Sequence, residues 1–242
     1  MGEVKILGVK IDNLIMDEAL KRVEQMMNDN KQHYIVTANP EFLVQAQKDK
    51  EFRGILNSAD LAVADGIGLI FASWFLGRSL KQRITGVDLM EKICQLASQK
   101  RWPIFLLGGK EGIAERAAEN LKQKYRGLEQ LQWSSSLKNC SIGTAPKYLL
   151  FVALGAPKQE KWLVKNLKKM PSVKLAMGVG GAFDFLAGRV WRAPKILRAG
   201  GLEWFWRLAL QPWRIGRIFR AVVIFPWLVI LFKVRHALKA RP

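Results

Sequence analysis

Residues 103–124 read PIFLLGGKEGIAERAAENLKQK and hold one complete strand, loop and helix. Pro103–Leu107 is a short apolar run typical of a buried strand, and Gly112–Lys124 repeats apolar residues at helical spacing. Gly108 and Gly109 between them indicate a turn. Apolar runs and amphipathic stretches alternate in this way along residues 1–188. The sequence therefore predicts an α/β fold, a Rossmann-like, mostly parallel sheet flanked by helices.

Apolar runs and helical periodicity define the expected elements along this region. The predicted strands are Val4–Val9, His33–Thr37, Leu61–Ala64, Pro103–Leu107, Tyr148–Leu154 and Lys174–Val179. The predicted helices are Asp17–Met27, Pro40–Lys48, Gly68–Leu76, Asp88–Gln99, Gly112–Lys124 and Pro157–Lys168, with a short turn near Phe183. Residues 125–147 are polar, show no clear period and are predicted to form a loop.

The length and the cysteines limit the classes of protein to consider. A chain of 242 residues is long enough for one or two domains with a buried core. Its two cysteines, Cys94 and Cys140, are too few for a disulfide framework and predict reduced thiols in the cytoplasm. The first residues, MGEVKILGVKIDN, lack a basic region followed by an apolar one, so no export signal is expected.

The positive charge is concentrated towards the C-terminus. The chain holds 39 Lys and Arg against 20 Asp and Glu, a formal net charge of +19. Residues 189–242 carry 12 of these basic residues and a single acidic one, together with five of the nine tryptophans. Such a segment suits nucleic acid or an anionic membrane. Because the aromatic residues cluster in an apolar tail, the pattern favours lipid and argues against a nucleic-acid partner.

Three prolines divide this tail into predicted helical pieces. Pro194, Pro212 and Pro226 give helices near residues 200–210, 212–225 and 226–239. The longest uncharged run, Ala221–Phe232, has 12 residues. A spanning helix needs about 20 apolar residues, so the tail is not expected to cross a membrane.

Arginines recur every three residues in the second piece, beside apolar residues. This spacing predicts a helix in the membrane interface, with its guanidinium groups on lipid phosphates. The arginines concerned are Arg214, Arg217 and Arg220. The alternative is a C-terminal helix that packs its aromatic side chains on the core, and both arrangements can hold together.

Polar or glycine-bearing loops follow the predicted strands. Parallel strands gather ligands beyond their carboxyl ends, where backbone N–H groups can approach phosphate oxygens. None of the loops matches G-x-G-x-x-G or the P-loop pattern, which disfavours a dehydrogenase and an ATPase. The residues at these strand ends are Thr37 and Asn39, Asp65, Gly108 and Gly109, Gly155, and Gly180 and Gly181.

Asp65 is the candidate catalytic carboxylate. It follows an apolar strand and precedes glycines, so its side chain is expected to face the cleft and to act as a general base for a sugar hydroxyl. The equally weighted alternative is that Asp65 caps the next helix. The sequence has no D-x-D motif, so Arg83 and other cations are the candidates for neutralising a leaving diphosphate. With two scattered cysteines and two scattered histidines, no metal site is expected.

Several segments together resemble the WecG/TagA/CpsF glycosyltransferases, glycosyltransferase family 26. They occur in the family's order over nearly the whole chain. The segments are TANPEFLVQAQKD (37–49), ADLAVADGIG (59–68), RITGVDLM (83–90), FLLGGK (105–110), VALGAPKQE (152–160), MGVGGAFDFLAGRVWRAPK (177–195) and GLEWFWRLALQPWR (201–214).

The resemblance implies an activity and its partners. The family transfers a sugar from a UDP donor to an undecaprenyl-diphosphate-linked sugar at the cytoplasmic membrane face. The branch most similar to this chain moves N-acetylmannosamine onto GlcNAc-diphospho-undecaprenol for wall teichoic acid, with inversion and without a cofactor. UDP-glucose and UDP-N-acetylmannosaminuronic acid remain alternative donors, and a non-enzymatic membrane scaffold is a further alternative. A homo-oligomer is possible.

The resemblance also implies roles for particular residues. Asp65 corresponds to the general base, and Arg83 to a contact of the diphosphate or the acceptor. Thr37 and Asn39 are implied sugar or acceptor contacts, and Gln159 a donor-side residue. The glycine loops are expected to bind substrate, and Arg214, Arg217 and Arg220 to contact the diphosphate or lipid.

The resemblance also divides the chain into two regions. Residues 1–190 are expected to form the catalytic domain, and residues 191–242 a helical appendage that places the enzyme peripherally on the inner face of the plasma membrane. Residues 125–147 depart from the family pattern, since they are short and lack its G-Y-F segment. No ligand contact of that part of the family fold is therefore assigned to these residues.

Overall fold

A computed structural model describes residues 2–137, 142 and 147–239 of the chain. The main sheet contains the strands β3 (His33–Ala38), β4 (Leu61–Ala64), β5 (Ile104–Gly108), β6 (Leu131–Ser134), β7 (Tyr148–Ala153) and β8 (Val173–Gly178). Its order is β4-β3-β8-β7-β5-β6, and every neighbouring pair runs parallel. The predicted α/β fold with a parallel sheet is thereby confirmed.

Helices cover both faces of this sheet. Up to residue 186 they are α1 (Met16–Asn28), α2 (Pro40–Lys48), α3 (Lys50–Asn57), α4 (Ile67–Phe75), α5 (Gly86–Lys100), α6 (Ile113–Lys124), α7 (Lys158–Asn166) and α8 (Ala182–Leu186). Helices α1, α5, α6 and α8 share one hydrophobic core, and α2, α3, α4 and α7 lie over the other face.

The strands are buried on both faces, which explains why they read as continuous apolar runs. Along β3, Ile35 belongs to one core and Val36 to the other. Along β4, Val63 faces the first core and Ala62 the second. This two-residue alternation directs successive side chains to opposite faces. The parallel direction of the strands brings their carboxyl ends to the same edge of the sheet.

The predicted strand Val4–Val9 is wrong. Two short strands, β1 (Glu3–Ile6) and β2 (Val9–Asp12), form an antiparallel hairpin instead. Leu7 and Gly8 adopt positive φ values of 49° and 82° and reverse the chain between them. The buried residues continue to alternate through the turn, so one longer strand and this hairpin give similar sequence patterns.

The prediction that residues 125–147 form a loop is wrong in part. Leu131–Ser134 pairs with β5 as the edge strand β6. Gln132 and Trp133 are exposed there, so the strand has little of the apolar character that marks its neighbours. Residues 138–141 and 143–146 of the predicted loop lie outside the described residues.

The C-terminal helices are α9 (Lys195–Ala199), α10 (Glu203–Leu210), α11 (Ile215–Phe219) and α12 (Phe225–Lys239). A 3₁₀ turn, Pro212–Arg214, precedes α11, and a π-helical turn, Arg220–Ile224, joins α11 to α12. The predicted break at Pro226 is therefore wrong. A wider i→i+5 turn directly before this proline relieves the clash of its ring with an earlier carbonyl and lets the helix continue.

This continuity changes the argument about membrane crossing. The helical run Pro212–Arg235 has 24 residues and is, by length and composition alone, long and apolar enough to cross a membrane. The 12-residue length of the uncharged run Ala221–Phe232 is therefore no argument against a membrane-spanning helix. In the structure, however, Phe225 and Val229 of α12 are buried in the core formed with α2 and α4. One side of α12 thus packs on the α/β body, as the alternative interpretation of the tail predicts.

Candidate active site at the carboxyl edge of the sheet

The parallel sheet brings the predicted strand-end loops to one edge. The order of the strands places the loop after β8 between that of β3 and that of β7. Thr37, Asn39 and Asp65 therefore lie on one side of Gly180, and Gly155 lies on the other. The helices α9 to α11 contact this same edge through the arginine contacts described below.

Asp65 is held by the first residue of a distant helix. The backbone N–H of Gly86, which begins α5, donates to Asp65 Oδ2 at 3.1 Å. Helix α4 is capped by Gly66, so the alternative in which Asp65 caps that helix is not what the structure shows. Within the described part of the chain, Asp65 Oδ1 has no hydrogen-bond partner, which leaves this oxygen available to a ligand.

The surroundings of Asp65 favour its protonated form. The pKa of Asp65 is raised to about 6, chiefly by burial and in part by the nearby Glu203 carboxylate. The Gly86 N–H and the guanidinium groups of Arg83 and Arg207 act in the opposite direction. A carboxylate with a pKa of this kind can take a proton near neutral pH, as a general base must.

Gly86 is a residue of the site that the sequence reasoning missed. A Cβ atom at Gly86 would lie 3.2 Å from Thr37 Cγ2 and 3.5 Å from Asp65 Oδ2. A side chain at this position would crowd Asp65 and the buried Thr37. The segment RITGVD contained the residue, but the closeness of two separate chain segments is not visible in a sequence.

Asn39 has a structural role in addition to the contact expected for it. Its Oδ1 accepts a hydrogen bond from the Phe42 N–H at 3.0 Å and caps α2. The cap fixes the side chain at the edge of the sheet, beside the loop that follows β4. The roles of Thr37 and Asn39 in sugar binding stay predictions.

Gln159 connects the loops after β7 and β8. Its Oε1 accepts hydrogen bonds from the N–H groups of Gly155 at 3.1 Å and Gly180 at 3.0 Å. Its Nε2 donates to Glu160 Oε1 at 2.7 Å. Gln159 is only 2% exposed, so it holds the two glycine loops together from the protein interior. The donor contact expected for Gln159 remains a prediction.

Glu160 is a buried acid behind the same loops. It is 2% exposed, and its Oε2 has no hydrogen-bond partner among the described residues. Burial raises the pKa of Glu160 to about 7, while the hydrogen bond from Gln159 acts against this. Glu160 therefore holds its proton over much of the acidic and neutral range.

The loop after β5 needs its first glycine for a close backbone approach. Gly108 has a φ of 91°, and a Cβ there would lie 3.0 Å from the carbonyl oxygen of Ala153. The N–H of Gly109 donates to this same carbonyl at 2.9 Å. This pairing fixes the loop after β5 against the end of β7.

Two arginines of the C-terminal helices converge on the loop after β8. A Cβ at Gly181 would lie 2.8 Å from Arg207 Nη2 and 3.7 Å from Arg214 Nη2. Arg207 Nε and Nη2 are buried and have no hydrogen-bond partner among the described residues. The Arg207 guanidinium also stacks 4.5 Å above the ring of Phe185. Unpaired buried N–H groups beside a glycine loop provide a site for an anion.

The electrostatics of this pair reflect crowding of positive charge. Burial, with repulsion from Arg214 and Arg217, lowers the pKa of Arg207 to about 10. Burial and the charge of Arg217 also lower the pKa of Arg214. An anionic ligand would relieve both effects. Arg207 was missed in the sequence, because spacing alone does not tell which of 12 basic residues points inward.

The other two predicted arginines have a protein partner. The guanidinium of Arg217 donates to Glu41 of α2, from Nη2 to Oε2 at 2.7 Å and from Nε to Oε2 at 2.9 Å and Oε1 at 3.1 Å. Arg220 lies 3.6 Å from Oε1 of Glu41. The structure thus places Arg214 beside the glycine loop after β8, whereas Arg217 and Arg220 contact Glu41 of α2. Their contacts with lipid or diphosphate stay predictions.

Further contacts join the C-terminal helices to the edge near Asp65. Arg83 is half-buried and donates from Nη2 to the carbonyl of Arg198 in α9. Arg192 pairs with Asp88 of α5 and with Glu203 of α10. Arg83 therefore lies between Asp65 and the appendage, rather than on the open surface.

An open cleft lies beside these arginines. It has a volume of about 540 Å³. Its lining combines aromatic and charged side chains, among them Trp191, Trp206, Trp213, Lys110, Asp184 and Arg214. The size is that of a typical pocket for a small ligand. Within the described ranges, no group of three or more His, Cys, Asp or Glu side chains could hold a metal ion.

Comparison with known proteins identifies the family. The family model of the glycosyl transferase WecG/TagA/CpsF family matches residues 4–239. A Staphylococcus aureus (strain MRSA252) protein named N-acetylglucosaminyldiphosphoundecaprenol N-acetyl-beta-D-mannosaminyltransferase is 33% identical over 234 residues, covering 93% of this chain and 91% of the relative. A protein of the same name from strain MW2 is 34% identical over 235 residues, with the same coverage. The chain belongs to the WecG/TagA/CpsF family of glycosyltransferases.

Proposed function

We propose that this glycosyltransferase moves N-acetylmannosamine from UDP-N-acetylmannosamine to GlcNAc-diphospho-undecaprenol, with inversion at the anomeric carbon. The names of the Staphylococcus aureus relatives support this acceptor and this sugar. The observation that carries the proposal is the placement of Asp65, a carboxylate with a pKa of about 6, on the same edge as Arg207 and Arg214. Among the described residues, neither arginine forms an ion pair with a carboxylate, although Arg214 donates to the amide oxygen of Gln211.

The donor diphosphate is proposed to bind between the glycine loops and the appendage. Gly181 offers a backbone N–H group, whereas that of Gly180 is already bonded to Gln159, and Arg207 and Arg214 offer guanidinium groups directed at Gly181. Planar guanidinium groups match the oxygens of a diphosphate better than an ammonium group does. The tryptophan-lined cleft beside Arg214 provides room for the remainder of a substrate.

The proposed chemistry is a single displacement. Asp65 Oδ1 takes the proton of the acceptor hydroxyl while that oxygen bonds to the anomeric carbon of the donor. The bond from that carbon to the diphosphate breaks, and its electron pair leaves with UDP. Arg207 and Arg214 stabilise the negative charge that develops on the leaving group. Attack from the face opposite to the leaving group inverts the anomeric configuration.

Residues 1–190 are proposed as the catalytic domain and residues 191–242 as the membrane-associating appendage. Arg83 connects the two through the Arg198 carbonyl and lies near the base. An acceptor anchored in lipid requires a site at the membrane surface. The charge of +11 on residues 189–242, from 12 basic and one acidic residue, suits the anionic inner face of the plasma membrane.

A donor screen tests the reaction. Purified protein is mixed with a short-chain GlcNAc-diphosphate-lipid analogue and, separately, UDP-N-acetylmannosamine, UDP-N-acetylmannosaminuronic acid or UDP-glucose. We expect transfer from UDP-N-acetylmannosamine and a β-linked product by NMR. Transfer from one of the other donors only would support the alternative of a different surface polysaccharide. Absence of transfer from any donor would contradict the proposed function.

A further inference from the structure

Helix α4 of the α/β body is apolar on two opposite sides. Leu69 and Ala72 are buried on its inner side, in the core shared with α2 and α12. On its outer side, Phe71 is 63% exposed, Trp74 is 72% exposed, and Phe75 follows them. Three large aromatic residues at helical spacing on a free surface mark an interaction site rather than ordinary surface variation.

Helix α12 lies beside α4 and extends this surface. Near the start of α4, a Cβ on Gly68 would lie 3.7 Å from the Phe225 ring. At its end, Lys233 Nζ donates to the Phe75 carbonyl at 2.7 Å and lies 4.1 Å from the centre of the Phe75 ring. The two helices therefore run side by side in the same direction for about two turns.

The outer side of α12 is also apolar. Trp227, Ile230 and Val234 are exposed at steps of three and four residues. We define the outward side chains of both helices as the aromatic face: Phe71, Trp74, Phe75, Trp227, Ile230 and Val234. Two adjacent helices, one from the body and one from the appendage, thus both present exposed apolar side chains.

Positive charge surrounds the aromatic face. Residues 66–87 and 204–242 contain no Asp or Glu. Arg78, Lys233 and Arg235 are exposed on or next to the two helices. A symmetric contact between two copies through this face would bring these cations against each other. Anionic phosphate groups would neutralise them.

We infer that the aromatic face rests on an anionic bilayer and that α4, within the catalytic body, inserts Phe71 and Trp74 into the interface. The inference deepens the proposed function, because it rests on a site at the membrane surface. Trp, Phe and flanking Lys or Arg are the residues that favour the boundary between headgroups and acyl chains. The body itself, and not the appendage alone, then sets the orientation on the membrane.

This placement has a consequence for the active site. Only Gly66 separates Asp65 from the first residue of α4, and Phe71 lies six positions after Asp65. The four helical steps from Ile67 to Phe71 rise by about 6 Å along the helix axis. Because α4 would lie with its side on the bilayer, this rise runs along the membrane plane, and the carboxylate at the start of α4 stays near the surface at which a lipid diphosphate lies.

Flotation of the full-length protein tests the inference. The vesicles are phosphatidylcholine alone or phosphatidylcholine mixed with phosphatidylglycerol. The double variant Phe71→Gln/Trp74→Gln is expected to bind the anionic vesicles about tenfold more weakly or worse. The matched control Trp133→Gln changes an exposed tryptophan on the edge strand β6 and is expected to bind as the parent does. Undiminished flotation of the double variant would overturn the inference.

Two further measurements separate the remaining outcomes. Vesicles of brominated phosphatidylcholine and phosphatidylglycerol should quench less of the fluorescence of Trp74→Phe than of the parent, and equal quenching would also overturn the inference. Sedimentation without lipid tests a second copy as the occupant, and self-association lost in the double variant would favour it over the bilayer. Transfer to a water-soluble acceptor should be unchanged in the double variant, which shows that it is folded. Lack of transfer by the parent contradicts the proposed function, whatever the flotation result.

Discussion

The N–H of Gly86 lies 3.1 Å from Oδ2 of Asp65 and fixes one oxygen of this carboxylate at the end of β4. The first residue of α5 thus holds a side chain that precedes it by 21 positions. One oxygen is occupied by the protein and the other is open. A general base needs this arrangement, since it must be oriented and must still reach a substrate proton.

Replacing the carboxylate tests its role. Asp65→Asn keeps an oxygen for the Gly86 N–H but cannot accept a proton from the acceptor. We expect sugar transfer to fall by about 10²- to 10⁴-fold, with UDP affinity roughly unchanged by calorimetry. The melting temperature serves as the control for folding. Turnover equal to that of the parent would remove Asp65 from the mechanism.

The rate should depend on pH through the same group. The base acts only when deprotonated, and burial raises the pKa of Asp65 to about 6. We therefore expect kcat/KM to fall tenfold per pH unit below about 6 and to level off above it. The measurement is a pH profile with the soluble acceptor analogue. A profile that stays flat down to about pH 4, the ordinary range for an aspartate, would contradict the assignment.

Arg207 is expected to contribute to donor binding. Arg207→Lys keeps the charge but removes the planar fork next to Gly181. Loss of charged hydrogen bonds should raise the Kd for UDP by about 10- to 100-fold. Arg189→Lys is the matched control, because Arg189 lines the neighbouring cleft, is more exposed than Arg207 and lies 3.8 Å from Asp184. Equal affinities in the two variants would argue against a diphosphate contact by Arg207.

Removal of divalent metals should have little effect on transfer. Arginines take the position of the charge-neutralising group in the proposed site, and the sequence has no D-x-D motif. We expect the rate in excess EDTA to stay within about twofold of the untreated rate. Magnesium is added back as the control. Loss of activity that magnesium restores would contradict the arginine-based mechanism.

Glu160 should make stability depend on pH. Its pKa is 4.5 in an unfolded chain and about 7 in the fold, so the folded state binds more protons between these values. The free energy of unfolding should therefore fall as the pH rises from about 4.5 to about 7 and stay low above that. Glu160→Gln removes the ionisation while keeping the acceptor for Gln159.

The variant should thus be more stable than the parent at about pH 8, by up to about 3 kcal/mol. At about pH 4 the two should unfold at similar denaturant concentrations, because both side chains are then neutral. Denaturant titrations at the two pH values provide the measurement. A stability difference independent of pH would show that Glu160 does not titrate as its burial predicts.

The sequence was informative about the edge of the sheet for a simple reason. Strands buried on both faces appear as apolar runs, and a parallel sheet places whatever follows those runs on one edge. Asp65 and the loops at Gly108 and Gly180 could therefore be located without coordinates. Confirmation of the sheet supports their common position, while their binding roles remain predictions.

The features that were missed depend on tertiary contacts. Arg207 points inward because α10 packs on the loop after β8, and Gly86 matters because it touches Thr37. The hairpin β1–β2 keeps the alternation of one strand, and the polar edge strand β6 has the composition of a loop. Pro226 is tolerated because a π-helical turn precedes it. None of these properties is encoded in the spacing of residues alone.

Arg207 and Arg214 come from the last 40 residues of the chain, whereas the glycine loop that they approach is complete by Gly181. During synthesis, the sheet and its carboxylate can therefore form while these guanidinium groups are still inside the ribosome. A nascent or prematurely terminated chain would contain the proposed base but would lack the two arginines proposed to bind the donor diphosphate. The proposed site would then become competent for sugar transfer only after the C-terminal helices are synthesised. The same helices contribute Trp227 to the aromatic face.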